Sequence, residues 1–166
     1  MTQDLVSSVP GIYTALLELI QGAAASRSVN VYPFAVGENE PDQYVTIERI
    51  IGPRYEWEDI GYFSQREKYS IAGQVSVFTG ESPAEDPNVA VTSLTTAFEI
   101  LQCCVMTPVM SNRNMPILGT TGPSPLMMLP ATFAADAGPG VVGGTPAGWL
   151  TTIGWAFAFE AVLTPA

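Results

Sequence analysis

The sequence predicts an α+β fold: a mainly antiparallel sheet of about four strands, with two helices packed on one of its faces. Three observations carry that expectation. Residues 67–80, EKYSIAGQVSVFTG, alternate with a period of two. Tyr69, Ile71, Gly73, Val75 and Val77 fall on one side, and Lys68, Ser70, Ala72, Gln74 and Ser76 on the other, the pattern of a half-buried strand. Two other stretches, 8–24 and 86–106, repeat apolar residues at helical spacing. The order of elements is then helix, two or three strands, helix, strand, which builds a two-layer fold if the second helix crosses over and returns the last strand to the sheet.

Taken in order, residues 8–24 (SVPGIYTALLELIQGAA) form the first helix. Ser8 is its expected N-cap, and Pro10 is tolerated because it falls in the first turn. Ile12, Leu16, Leu19, Ile20 and Ala23 make its apolar stripe. Residues 29–34 are a short strand, and 37–42 (GENEPD) an acidic turn. Residues 43–51 (QYVTIERII) alternate, with Val45, Ile47, Arg49 and Ile51 on one side, and Gly52-Pro53 is expected to end that strand. Residues 54–66 then mix aromatic and acidic side chains, either as a hairpin extension or as a long loop. The strand at 67–80 follows. Residues 81–86 (ESPAED) have helix-start chemistry, with the preferred start at Asp86. The second helix runs to about residue 106, with Val91, Leu94, Phe98, Leu101 and Val105 as its stripe and Ala97 and Cys104 beside it. Residues 149–163 close the sheet, with Ile153, Trp155, Phe157, Phe159 and Ala161 facing one way.

A single domain spans 1–166, with an irregular insertion at about 106–148 that holds seven Pro and seven Gly. A connection of that length is expected to serve assembly rather than the core. From Asn114 to Phe159 only Asp136 is charged, and large uncharged surfaces mark interaction sites. Two uncharged windows in this region are long enough to span a bilayer, but their prolines and glycines rule out a continuous membrane helix. Residues 1–11 lack the pattern of a signal peptide.

The chain carries 16 acidic residues against 6 basic ones and has no histidine. A net charge of −10 repels phosphate, so a nucleic-acid-reading role is not expected. The commonest general base and metal ligand near neutral pH is missing. Cys103 and Cys104 are adjacent, so they cannot staple distant segments and read as reduced core thiols. The G-x-G-x-x-G match at Gly138, Gly140 and Gly143 lacks a helix start after it, because Gly144, Pro146 and Gly148 follow. No phosphate-binding loop with Lys and no nucleophile elbow occurs. The sequence therefore offers no catalytic machinery, and no cofactor or metal is expected.

Two clusters remain as candidate interface residues: Tyr55, Glu56, Trp57, Glu58, Asp59, Tyr62 and Phe63 between the strands, and Glu81, Glu85 and Asp86 at the start of the second helix. The first reads as a solvated hairpin tip or a subunit contact, the second as a helix cap or an acidic rim.

In element order and texture the chain resembles the tail terminator (tail-completion) proteins of long, non-contractile-tailed bacteriophages. The segments that carry the resemblance are VPGIYTALLELIQ, VNVYPF, QYVTIERI, YSIAGQVSVFTG, VAVTSLTTAFEIL and TIGWAFAFEAVL. Together they cover the chain except the insertion, which is longer than the family pattern. The resemblance implies a virion protein made in the host cytoplasm and located at the head–tail neck. It implies a ring, a homohexamer, set between the tail tube protein and the head–tail connector or head-completion protein. DNA would pass through the lumen without sequence-specific binding, and the two acidic clusters would line the interface or lumen. A different neck or tail component, such as a head-completion protein or a tube subunit, and a small ligand-binding domain are the alternatives.

Overall fold

A computed structural model describes residues 7–34, 43–59, 64–79, 86–112, 127–129, 136–142 and 145–163. The architecture is α+β. Helix α1 (Val9–Ala25) leads into strand β1 (Asn30–Pro33). Strands β2 (Gln43–Asp59) and β3 (Ser64–Thr79) form a long hairpin, with Asp59 opposite Ser64. Helix α2 (Val89–Ser111) follows. Two short strands, β4 (Met127–Leu129) and β5 (Asp136–Val142), precede the last strand, β6 (Thr145–Leu163). The sheet runs β1-β2-β3-β6-β4, with β5 also paired to β6. All pairings are antiparallel except β1 with β2, so the sheet is mixed.

The strand expected at 67–80 is the centre of the molecule. β3 pairs β2 along one edge and β6 along the other, from Gln65↔Leu163 to Thr79↔Trp149. Its Tyr69, Ile71, Val75 and Val77 are buried in one core with Ile153, Trp155, Phe157 and Phe159 of β6. Ile12, Leu16 and Ile20 of α1 and Ala97, Leu101 and Val105 of α2 close that core from the helical side. Gly73 sits beneath the Trp155 indole. A Cβ there would lie 1.9 Å from the Thr46 carbonyl oxygen and 2.5 Å from the Trp155 ring, so the close packing of β2, β3 and β6 depends on its having no side chain.

β2 departs from simple alternation. Ile47 lies opposite Gly73 but Arg49 lies opposite Ala72, so Glu48 is an extra residue in a β-bulge. Beyond it Ile50, not Arg49 or Ile51, turns to the core side opposite Ile71. The expectation that Val45, Ile47, Arg49 and Ile51 share a side is therefore corrected: Arg49 and Ile51 are exposed on the other face. The bulge is tied down from outside the pair, since the Ile47 carbonyl accepts the Phe34 N–H (2.9 Å) and the Tyr13 hydroxyl (3.2 Å). Gly52-Pro53 does not end the strand either. The register shifts between Ile51 and Arg54, Gly52 adopts φ +104°, and β2 continues to Asp59. β1 reaches only to Ile47, so β2 has an open edge there and the missing Pro53 N–H costs no ladder bond.

α2 starts at Val89 after Asn88, not at Asp86, and runs past residue 106 to Ser111. Its segment Leu101–Met106 is π-helical, with the Thr107 N–H donating to the Gln102 carbonyl. Pro108 follows immediately. A proline in a helix lacks a donor and crowds the carbonyl four residues back, and the wider π turn relieves that crowding. The buried stripe is Val89, Ser93, Ala97, Ile100, Leu101, Cys104, Val105 and Val109. Val91 is 63% exposed and Phe98 39%. The helix thus meets the sheet through Ser93 and Ala97 rather than through Val91 and Phe98, and the Ser93 hydroxyl bonds Thr151 of β6 at 2.8 Å. By length and composition alone this helix could cross a membrane; here its inner face is part of the core.

Of the stretch 106–148, the described parts are the end of α2, the backbone of β4 and β5 on the outer edge of β6, and the first residues of β6 itself, 145–148. The acidic turn at 37–42 and the rest of that stretch lie outside the described residues.

Candidate functional site

Glu67 is the least expected feature of the molecule. It belongs to the core-facing register of β3, next to Tyr69, and is 0% exposed. It lies where α1 begins. Its carboxylate accepts the Ser7 hydroxyl (2.7 Å), the Ser8 hydroxyl (2.6 Å) and the Ser8 N–H (2.9 Å), and Tyr55 hydrogen-bonds it as well. Ser8 occupies the N-cap position but makes no side-chain cap bond of its own. A strand carboxylate thus takes the N-cap residue's own N–H, as the glutamate of a capping box does from within the helix, and the helix dipole favours negative charge there. The Ser8 hydroxyl also lies 3.0 Å from the Tyr69 hydroxyl, and Tyr69 stacks on Phe159. Burial raises the Glu67 carboxyl, but the bonds from Ser8 and Ser7 more than reverse that and hold it below its ordinary value. Burial pushes Tyr69 up to about 12, and desolvation and the bond to Glu67 raise Tyr55. This network fastens helix to sheet.

The two candidate clusters are placed only in part. Tyr55 is 48% exposed and reaches Glu67. Glu56 is exposed and pairs Lys68 across the hairpin at 3.0 Å. Trp57, Glu58 and Asp59 end β2, so of the two readings of 54–66 the hairpin is the one adopted. Tyr62, Phe63, Glu81 and Glu85 lie outside the described residues. Asp86 is exposed, and its carboxylate accepts the Asn88 N–H at 3.0 Å just before α2.

The sheet face away from the helices holds what sequence reasoning missed. Two shallow grooves run across β2, β3 and β6. One, of about 450 Å³, is bordered by Ile51, Arg54, Lys68, Ser70, Ala158 and Glu160. The other, of about 280 Å³, is bordered by Glu48, Arg49, Ala72, Gln74, Gly154 and Ala156. The floor between them is built from Ser, Ala and Gly, so the backbone lies close to the surface. Arg66 and Glu160 form an ion pair across β3 and β6. Among the described residues no group of three or more His, Cys, Asp or Glu is arranged to hold a metal ion. Cys103 and Cys104 are free thiols, Cys104 buried and pushed up by that burial.

No family model and no curated protein matches this sequence. The geometry therefore stands on its own: a two-layer fold with the helices on one face of the sheet, the other face open among the described residues, and a hairpin of β2 and β3.

Proposed function

We propose that this chain is a structural virion protein, a ring-forming tail terminator at the head–tail neck of a long-tailed bacteriophage, with no enzymatic role. In this reading a closed ring, a hexamer, caps the tail tube, stops its polymerisation and docks to the head connector while DNA passes through. The observation that carries it is the element layout: an N-terminal helix, a short strand, a long hairpin, a second helix and a closing strand, in one core. That order is the one on which the resemblance to tail terminators rests. The acidic balance supports a lumen past which DNA slides without being held.

The length of the hairpin favours a second reading, a tail tube subunit, since β2 and β3 hold 17 and 16 residues. Native mass spectrometry and negative-stain microscopy of the purified chain separate the two. A terminator gives closed rings of one fixed mass. A tube subunit gives open-ended polymers of many lengths. A chain that stays monomeric at all concentrations sinks both.

A further inference from the structure

We propose that the open face of the sheet is a self-assembly surface that receives the helical face of a second copy of this chain. The inference rests on the ring-forming reading above and names the surface that would close the ring.

Charge segregation carries it. The chain has only 6 Lys and Arg, and Arg49, Arg54, Arg66 and Lys68 all fall on β2 and β3. Register puts them on the open face: Arg49 lies opposite Ala72, Arg54 opposite Lys68, and Glu56 opposite Arg66. Arg66 and Lys68 are matched within the chain by Glu160 and Glu56. Arg49 and Arg54 have no ion pair among the described residues, and each borders one of the two grooves; the exposed carboxylate of Glu48, which accepts the Thr46 hydroxyl, borders the Arg49 groove as well, so the Arg54 groove is the more cationic of the two. Beside them Ile51 is 51% exposed.

The helical face has the complementary character. Glu18 on α1, Asp86 before α2 and Glu99 on α2 are all exposed there, and Val91 is 63% exposed on the same helix. Arg27 is the one cation described on that side. Each copy thus offers two different surfaces: a sheet face with two arginines unpaired among the described residues and exposed Ile51, and a helical face with three exposed carboxylates and exposed Val91. Complementary but unlike faces give head-to-tail contacts, which close into a ring when the rotation allows. The grooves are open and shallow rather than enclosed, which suits a broad contact better than a small molecule.

The test is a charge swap read by native mass and light scattering across a dilution series. Arg49→Glu with Arg54→Glu, and separately Glu18→Lys with Glu99→Lys, should each raise the concentration at half-assembly by about tenfold. All four changes together should restore most of the wild-type value. The substituted positions are exposed, so circular dichroism should be unchanged. If either double variant assembles as the wild type does, or the quadruple variant fails to recover, this surface is overturned while the ring reading stands. A wild type that is monomeric throughout, or that binds DNA through Arg49 and Arg54, overturns the proposal, and the monomer overturns the ring reading with it.

Discussion

At the scale of single residues, two positions decide more than their size suggests. Gly73 has no room for a side chain: the nearest obstacle to a Cβ is backbone, which cannot rotate away. Gly73→Ala should cost about 3 kcal/mol or more, read as a fall in the midpoint of chemical denaturation; an unchanged midpoint would mean β2 and β3 are not packed this closely. Glu67 is the second. Glu67→Ala leaves Ser7, Ser8 and Tyr55 donors without their acceptor and should cost about 3 kcal/mol. Glu67→Gln keeps the shape but turns one oxygen into a donor facing donors, and should cost about 1–2 kcal/mol. The pH dependence follows from the lowered carboxyl. A group whose folded value lies below its unfolded one stabilises fully above the unfolded value, and loses that stabilisation as pH falls through the folded value. The melting-temperature gap between wild type and Glu67→Gln should therefore be full at neutral pH and shrink below about pH 4.5. A gap that widens in acid would show the carboxyl to be neutral in the fold. The parity of β3 already placed Glu67 beside Tyr69. What the sequence could not show was the partner, because Ser7 and Ser8 are some sixty residues away.

At the scale of elements, α2 is the informative case. Its existence was legible from periodicity, and so was the inner face of its second half at Leu101, Cys104 and Val105; the facing of Val91 and Phe98 was not. The apolar residues of this helix fit more than one stripe, and the one chosen is the one narrow enough to approach the sheet, through Ser93 and Ala97. Two substitutions separate the stripes. Ala97→Leu should overpack the core and cost about 2–3 kcal/mol, whereas Val91→Lys should change stability by no more than about 0.5 kcal/mol. Thermal unfolding of the pair checks this, and equal losses would restore the Val91 stripe. β2 was legible as a strand, but its facing beyond Ile47 was not, for a related reason. Alternation is a local signal, whereas a bulge is set by what holds it, here Phe34 and Tyr13 on other elements. Tyr13→Phe should cost about 1 kcal/mol by removing its bond to the bulge carbonyl, with equilibrium denaturation as the check.

At the scale of the whole molecule, the α+β class, the central place of β3 and the return of the last strand were all legible, because each rests on a pattern that repeats over many residues. The sheet face that gathers Arg49, Arg54, Arg66 and Lys68 was not, because it is assembled by register across three strands and depends on the Glu48 bulge to turn Arg49 outward. The insertion expected to be irregular supplies β4 and β5 to the outer edge of β6. Deleting residues 115–145 would remove that pairing and bare a strand edge. Such a variant should lose solubility on concentration, read by light scattering. A deletion that remains as soluble as the full chain would show the edge to be protected by other means.

The central position of β3 also has a consequence in time. Its β2 side is filled by a neighbour in the sequence, through the hairpin that closes between Asp59 and Ser64. Its β6 side is filled by a segment that begins only at Thr145. As the chain emerges from the ribosome, the first edge of β3 can zip at once, while the second waits for more than half of the remaining chain. Pairings of such long sequence separation are slow to form, and an unpaired edge invites other chains. The hairpin should therefore be the early unit of folding, and β6 the late one. Substitutions at the β2–β3 turn should slow refolding, whereas substitutions in β6 should mainly speed unfolding.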